Sequence, residues 1–161
     1  MPDRTAQTRN PVILINAAAL PRLSPSRIDT TGATIIVAGN GIVDMTLAEL
    51  ALPGAEMIWT DFRQSASLGR LHQEIDAKGG LDHLILAADG CRAESTFSVM
   101  CAILSLLPAL RRPGRSQVSV TLEDGPAVAS LQEFLGRLAP GLRRHGISVG
   151  LEVTSAAGVA G

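Results

Sequence analysis

Six short apolar runs recur along the chain, and each has the length and composition of a buried strand. Residues 80–90 are the clearest case, because a turn glycine and Asp82 lead into an unbroken apolar segment. Strands of a parallel sheet are covered on both faces, so they have continuous rather than alternating apolar residues. The other strands are predicted at residues 11–19, 33–38, 55–61, 117–122 and 147–153.

The segments between these strands have apolar residues at helical spacing. Such spacing places one apolar stripe along a helix, and glycines or prolines mark where each stripe stops. In the first of these segments the stripe consists of Val43, Leu47, Leu50 and Ala51. Helices are predicted over residues 42–52, 67–77, 94–111 and 125–144.

Prolines limit three of the connecting segments. Pro21 and Pro25 leave residues 20–31 room only for a loop with one helical turn at residues 25–27, since an interior proline breaks a helix. Pro108 is expected to bend the last turn of the third helix. Pro140 is expected to kink the fourth helix or to end it early.

Strands that alternate with helix-length connections indicate parallel strands linked by right-handed crossovers. We therefore predict an α/β fold, a three-layer doubly wound parallel sheet of about six strands that is Rossmann-like. A length of 161 residues suits a single domain. This domain is expected at residues 11–153, between flexible tails at residues 1–10 and 154–161.

Composition narrows the class of protein. Hydrophobic residues make up 46% of the chain and charged residues 18%, which excludes a disordered chain. A net charge of −1 without a basic block argues against a nucleic-acid surface. No apolar segment reaches the about 20 residues of a membrane span, and residues 1–10 lack the pattern of an export signal. We expect a cytoplasmic protein without nucleic-acid or membrane partners.

Few residues have the pattern of a catalytic or metal site. Cys91 and Cys101 have no histidine or acid at ligand spacing beside them, so both are expected to be free thiols. His72, His83 and His145 are expected to be structural, and the chain has neither a G-x-S-x-G motif nor a P-loop lysine. We therefore predict no metal site and assign no catalytic residue.

Two strand ends have the residue types of a dinucleotide site. Gly39-Asn40-Gly41 follows a strand and opens a helix, where glycine amides and a helix N-terminus can hold a pyrophosphate. Asp44 replaces the third glycine of the usual G-x-G-x-x-G pattern, and a tight turn without a ligand is the alternative. Asp61 ends the third strand, where it could accept a hydrogen bond from a ribose or an adenine amino group, or simply form a turn.

The order of these motifs resembles the short-chain dehydrogenase/reductase family from about Gly32 to Val153. Residues 81–90 are similar to the central strand of that family with its Asn-Ala-Gly-type turn, and Thr60-Asp61 is similar to its Asp-containing strand end. Residues 104–110 resemble its interface helix, and residues 131–149 its long helix and sixth strand. The candidate cofactor-binding residues are then Gly39, Asn40, Gly41, Asp61, Ala87, Ala88 and Gly90.

The catalytic residues of the resembled family are absent. Its members use a Tyr-x-x-x-Lys pair at the start of the long helix, in which tyrosine is the acid/base and lysine lowers its pKa and holds the ribose. This chain has no tyrosine, its only lysine is Lys78, and residues 124–129 offer Gly, Pro, Ala and Val at the corresponding place. Thr121-Leu122-Glu123 replaces the serine expected after the fifth strand.

The glycine-rich loop of the family is also abbreviated. If the first strand lies at residues 12–15, its loop at residues 16–20 has no glycine. If the first strand lies at residues 33–38, Gly39-Asn40-Gly41 is a remnant and one strand–helix unit is missing. No segment after residue 153 is long enough for a substrate lid. The resemblance implies a shortened, degenerate member that keeps the fold without the standard catalytic residues.

Two functions follow from this pattern. The first is a non-catalytic protein that works by homo- or hetero-oligomeric association, because the helix from Glu94 to Arg111 is apolar all round and resembles the dimer helix of the family. The second is an NAD(P)-dependent oxidoreductase or dinucleotide-binding protein with a rebuilt site. We favour the first, without a cofactor. A flavodoxin-like or receiver-like module is disfavoured, since the paired acids and lysine of a phospho-receiver site are missing.

Overall fold

The structure, a computed structural model, describes residues 9–22 and 30–155. In these two ranges, six parallel strands form one sheet in the order β3-β2-β1-β4-β5-β6. The chain begins in the middle of the sheet, builds outward to β3, and returns to the middle with β4, so the strand order reverses between β1 and β4. The strands are β1 (Val12–Asn16), β2 (Thr34–Gly39), β3 (Glu56–Trp59), β4 (His83–Asp89), β5 (Ser116–Glu123) and β6 (Ile147–Thr154).

Within the described residues, four α-helices connect these strands. They are α1 (Ile42–Ala51), α2 (Ser65–Ala77), α3 (Ala93–Arg111) and α4 (Val128–Arg144). The predicted doubly wound parallel fold is confirmed. A 3-10 helix, Ala17–Arg22, follows β1 and was not predicted. The helical turn expected at residues 25–27 lies outside the described residues, as do residues 1–8 and 156–161 of the two expected tails.

Helices cover both faces of the sheet, and successive side chains along each strand point to opposite faces. Leu14 and Leu84 belong to the large core cluster that packs against α2, α3 and α4. Ile13 and Ile85 point the other way, toward the 3-10 helix, and Val37 packs with α1. The core is almost entirely aliphatic, and Phe62 is the one aromatic residue among its buried members. A sheet buried on both faces explains the unbroken apolar runs of β1 and β4.

α3 is the longest helix, and most of its apolar residues pack in the core. By length and composition alone, its 19 residues could cross a membrane, with a mean hydropathy of 1.6. A core helix has the same composition, so this is weak evidence for a membrane span. The buried residues of α3 are Thr96, Val99, Ala102, Ile103, Leu106, Ala109 and Leu110.

α4 runs through Pro140 and ends at Arg144. Of the two expected effects of Pro140, a kink or an early end, the early end is therefore ruled out. Leu135 and Leu142, on either side of the proline, both pack in the core and hold the helix in place. The hydrogen bond that Pro140 removes would have reached the carbonyl of Gly136. Both residues are exposed, so water can satisfy that carbonyl.

Asp82 links the start of β1 to the start of β4. Its carboxylate accepts the Val12 N–H at 2.7 Å and pairs with Arg9, whose Nη2 lies 2.8 Å from Oδ2. Arg9 was expected in a flexible tail, and this contact attaches it to the amino edge of the sheet. The two strands between which the order reverses are therefore fixed to each other at the edge opposite their carboxyl ends.

Candidate functional site

A cleft of about 180 Å³ opens at the carboxyl edge of the sheet, at the point where the strand order reverses. Ligands of open α/β sheets bind in this crevice. Residues at the ends of β1, β2, β3 and β4 form its walls, together with Ser95 and Ser98 from the first turns of α3. Five of the seven candidate cofactor-binding residues line it, namely Gly39, Asn40, Gly41, Asp61 and Ala87.

The other two candidates, Ala88 and Gly90, do not line this cleft. Ala88 is buried in the core cluster on the side of α3, because alternate residues of a strand face opposite sides of the sheet. Gly90 follows β4 and contacts the turn after β5. Its amide donates to the Glu123 carbonyl at 2.9 Å.

Gly39-Asn40-Gly41 belongs to the second βα turn of the fold. β1 pairs with both β2 and β4 at the reversal, so the first strand lies at Val12–Asn16 and its turn has no glycine. Asn16 Oδ1 accepts the Ala18 N–H at 3.0 Å, and the chain continues as a 3-10 helix instead of an α-helix. A Cβ on Gly39 would lie 3.0 Å from Ala17 Cβ, so close packing of the two turns favours this glycine.

Asp61 is held by Arg63 within the same turn. Arg63 donates to Oδ1 through its backbone amide at 3.0 Å and through Nε at 3.2 Å, and Nη2 lies 3.4 Å from Oδ2. The hydrogen bond from the Arg63 side chain lowers the pKa of Asp61 below its usual value. A ligand that donates a hydrogen bond to this carboxylate would have to share it with Arg63.

The β3–α2 and β4–α3 turns have the same hydrogen-bonding design. Asp61 and Asp89 each accept the amide of the residue two positions on, which is Arg63 or Cys91. The backbone amide of each aspartate in turn donates to a serine hydroxyl six residues on, Ser67 at 2.8 Å and Ser95 at 2.9 Å. This shared spacing fixes both helix entrances beside the cleft.

Acidic groups outnumber basic groups in the cleft. A second cavity of about 300 Å³ adjoins it, and the two share Ala18, Arg63, Ala87, Ser95 and Ser98. Arg63 Nη1 lies 3.8 Å from Glu94 Oε2, so acids engage this guanidinium from both sides. The cleft therefore lacks the surplus of positive charge that attracts a pyrophosphate. The charged residues described along the two cavities are Asp44, Asp61, Asp89, Glu94, Arg63 and Arg92.

Backbone contact closes the carboxyl ends of β4 and β5. The Ala127 amide donates to the Gly90 carbonyl at 2.8 Å. A Cβ on Gly90 would overlap the Glu123 carbonyl oxygen, and a Cβ on Gly125 would overlap the Gly90 carbonyl group. The turn from Asp124 to Ala127 lies within residues 124–129, where the resemblance leads us to expect the catalytic tyrosine of the family. Neither Gly90 nor Gly125 has room for a side chain where the two turns meet.

The only lysine lies at the opposite edge of the sheet. Lys78 Nζ is 3.0 Å from Glu56 Oε2 and 3.5 Å from Glu74 Oε2, and Glu56 is the first residue of β3. Hydrogen bonding between Lys78 and Glu56 raises the pKa of the lysine and lowers the pKa of the glutamate. Lys78 therefore joins α2 to β3 at the amino edge, away from the cleft.

The histidines and cysteines provide no alternative centre in the part of the chain that the structure describes. His83 Nε2 lies 2.8 Å from Ser119 Oγ, and burial lowers the pKa of the histidine. Cys91 is exposed, Cys101 is half-buried, and both are free thiols. No three His, Cys, Asp or Glu side chains in the described ranges are grouped so that they could hold a metal ion.

Sequence reasoning missed Asn16, Arg63, Ser95 and Ser98 as cleft residues. Asn16 directly follows an apolar run, so its place at the end of β1 is a usable signal. The Asp–Ser spacing of six residues after two strands would have identified Ser95. Arg63 follows the predicted Asp61 by two residues in the same turn, and that neighbourhood is a usable signal too. Ser98 gave no such signal, because only the packing of α3 against the sheet brings it to the cleft.

Solved structures similar to this chain include short-chain dehydrogenases and reductases. A hydroxysteroid dehydrogenase from Escherichia coli has a TM-score of 0.68 at 17% identity, over 88% of this chain and 69% of the other. A short-chain oxidoreductase from Pseudomonas aeruginosa PAO1, with NADPH bound and an atypical catalytic center, has a TM-score of 0.66 at 15% identity over the same shares. The chain has the short-chain dehydrogenase/reductase fold.

A short-chain dehydrogenase/reductase from Burkholderia xenovorans gives the same result, with a TM-score of 0.67 at 14% identity over 94% of this chain and 73% of the other. No protein-family model matches the sequence, and no curated protein does. At these identities, the likeness to short-chain dehydrogenases and reductases is one of fold. The family resemblance predicted from the motif order is confirmed at that level.

Proposed function

We propose that this protein is a non-catalytic member of the short-chain dehydrogenase/reductase fold that acts by associating with a second copy or with another protein. The observation behind the proposal is the closed junction of the β4–α3 and β5–α4 turns, where Gly90 and Gly125 meet backbone to backbone. An acid/base catalyst must lie within hydrogen-bonding reach of the reacting group. The chain has no tyrosine, and Lys78 is engaged at the other edge of the sheet.

Exposed apolar residues on α3 support association as the mode of action. Phe97 is 56% exposed and Leu104 is 49% exposed, and the half-buried Cys101 lies between them at helical spacing. These three residues form a stripe on the side of α3 away from the sheet. The stripe is the part of the predicted helix from Glu94 to Arg111 that remains available to a homomeric or heteromeric partner.

The proposal is tested by offering the full chain the reactants of a reductase. NADH and NADPH are titrated by calorimetry, and consumption of each is followed with a panel of aldehydes and ketones. We expect no turnover with any carbonyl compound. Saturable, carbonyl-dependent consumption that is reduced in Asp61→Asn and unchanged in Gln132→Glu, an exposed position of α4, would overturn the proposal.

A dinucleotide-binding protein is the second candidate, and the cleft favours it. Five predicted residues converge at the strand reversal, and a protein of the same fold binds NADPH with an atypical catalytic center. Trp59 immediately precedes the cleft residue Thr60, so quenching of its fluorescence reports binding. If phosphates bind beside Gly41, Asp44→Asn should tighten NADPH binding about fivefold by removing a like charge. An unchanged affinity would place the ligand elsewhere.

A further inference from the structure

The outward side of α1 is the most apolar surface among the described helices. Ile42 and Leu50 are each 74% exposed, Val43 is 69% exposed and Leu47 is 50% exposed. Met45 and Ala48, on the opposite side of the helix, are buried against Val37 and Ala17. Large aliphatic side chains gathered on one side of a helix mark an interaction site, whereas single exposed ones do not. We call Ile42, Val43, Thr46, Leu47 and Leu50 the α1 patch.

The polar group inside the α1 patch is already satisfied. Thr46 lies at the centre of the patch, and its hydroxyl donates to the Ile42 carbonyl at 2.7 Å. Burying this residue therefore leaves no donor without an acceptor. The two acids of α1 are outside the patch, since Asp44 lines the cleft and Glu49 lies at the flank. The centre of the patch can be covered while the Glu49 carboxylate stays in water at the edge beside Ile42.

Trp59 extends this surface at the end where α1 begins. It is 54% exposed and follows Met57 by two residues, so both lie on the face of the sheet that α1 covers. Together, the patch and Trp59 expose an area on the order of 500 Å². Two such surfaces would bury on the order of 1,000 Å², which is the lower bound for a specific interface.

We propose that the α1 patch is the contact between two copies of this chain, with α1 of one copy packed antiparallel on α1 of the other. A two-fold axis makes one surface meet itself, and a central stripe without charges can do so without repulsion. The antiparallel arrangement also places the N-terminus of each helix beside the C-terminus of the other, which is favourable for the helix dipoles. This proposal rests on the proposed function, association as the mode of action, and it places the contact between copies on α1 rather than on α3.

Sedimentation velocity on the full chain, from low micromolar to submillimolar concentration, tests the assignment. We expect a reversible dimer whose dissociation constant rises at least about 100-fold in Leu50→Glu, because each dimer contains the substitution twice. Gln132→Glu, which adds the same charge at an exposed position of α4, should leave the dimer unchanged. Circular dichroism checks that Leu50→Glu is folded, and Leu47→Gln provides an independent variant of the patch.

The other outcomes separate this contact from the proposed function. A wild-type chain that is monomeric over the whole series overturns the α1 dimer, whereas association with a different protein as the mode of action would still stand. A dimer that resists both α1 variants and dissociates in Phe97→Glu places the contact on α3. That result supports the proposed function and overturns the assignment to α1. Carbonyl-dependent turnover by a dimer that α1 variants dissociate would overturn only the non-catalytic role.

Discussion

The β2–α1 and β4–α3 units have the same parts: a buried strand, a turn with glycine and an apolar helix. Their turns differ, because Gly39-Asn40-Gly41 opens onto the cleft whereas Gly90 is packed against Gly125. Their helices differ as well. α3 buries seven residues, whereas α1 buries two and turns its large aliphatic residues toward solvent.

The position of each helix in the fold explains this difference. α3 contacts α2 on one side, α4 on the other and β4 and β5 beneath, so few directions remain open to solvent. Among the described elements, α1 contacts chiefly β2 and the short 3-10 helix. The number of apolar residues in a helix therefore does not tell which helix leaves them exposed. Neighbouring elements decide that.

Truncation of a buried side chain of α3 gives the largest expected effect. Leu106→Ala should lower the free energy of unfolding by about 3 kcal/mol, because Leu106 is completely buried in the main core cluster. Leu104→Ala, two positions earlier on the exposed side of the same helix, should cost less than about 1 kcal/mol. Urea unfolding of both variants measures the contrast. Equal losses of unfolding free energy would contradict the burial of Leu106 and the exposure of Leu104.

The closed junction between the turns before α3 and α4 gives the next effect. Gly125→Ala should destabilise the protein by about 2 kcal/mol or more, since its Cβ would overlap the Gly90 carbonyl and force the two turns apart. Gly136→Ala is the matched control within α4, where no atom lies within 4 Å of the added Cβ. It should stabilise the helix by about 0.5 kcal/mol. If Gly125→Ala had the same unfolding temperature as Gly136→Ala, the junction of the two turns would have room for a side chain, contrary to the structure.

The open cleft gives the smallest effect, and this effect depends on pH. The pKa of Asp61 is lowered in the folded state, so its contribution to stability is present above the unfolded pKa and is lost as pH falls through the folded value. Asp61→Asn should cost under about 1 kcal/mol at neutral pH, because Arg63 is well exposed and water screens the pair. The urea midpoints of the wild type and of Asp61→Asn should differ at neutral pH and become equal at strongly acidic pH. If the two midpoints differed by the same amount at both pH values, the Asp61–Arg63 ion pair would be excluded as the cause of the stability difference.

The strands and helices were predictable because each is defined by its own local pattern. Continuous apolar runs identified β1 and β4, and helical spacing identified α1 and α3 within a few residues of their bounds. The orientation of α1 was not predictable in the same way. Val43, Leu47 and Leu50 form its most apolar stripe, yet that stripe faces solvent while Met45 and Ala48 pack inward. A local pattern identifies a stripe but not what covers it.

The candidate site was predictable where it depends on strand ends. Asp61 and Ala87 line the cleft because the carboxyl ends of parallel strands meet at one edge. The place of Gly39-Asn40-Gly41 in the second turn was open, since only the pairing of β1 with β4 decides which strand is first. The Arg63–Glu94 ion pair and the Gly90–Gly125 contact each join segments far apart in sequence. No spacing rule along the chain reveals such contacts.

The position of Lys78 has a practical consequence for detecting any assembly of this protein. Amine-directed cross-linkers, the usual reagents for trapping complexes, react with lysine side chains, and the sequence has one lysine, Lys78. Glu56 and Glu74 hold that ammonium group and its pKa is raised, so it is a poor nucleophile near neutral pH. Neither α1 nor α3 contains a lysine. The absence of a cross-linked band after such treatment would therefore reflect the lack of reactive lysines and would not show whether an oligomer is present.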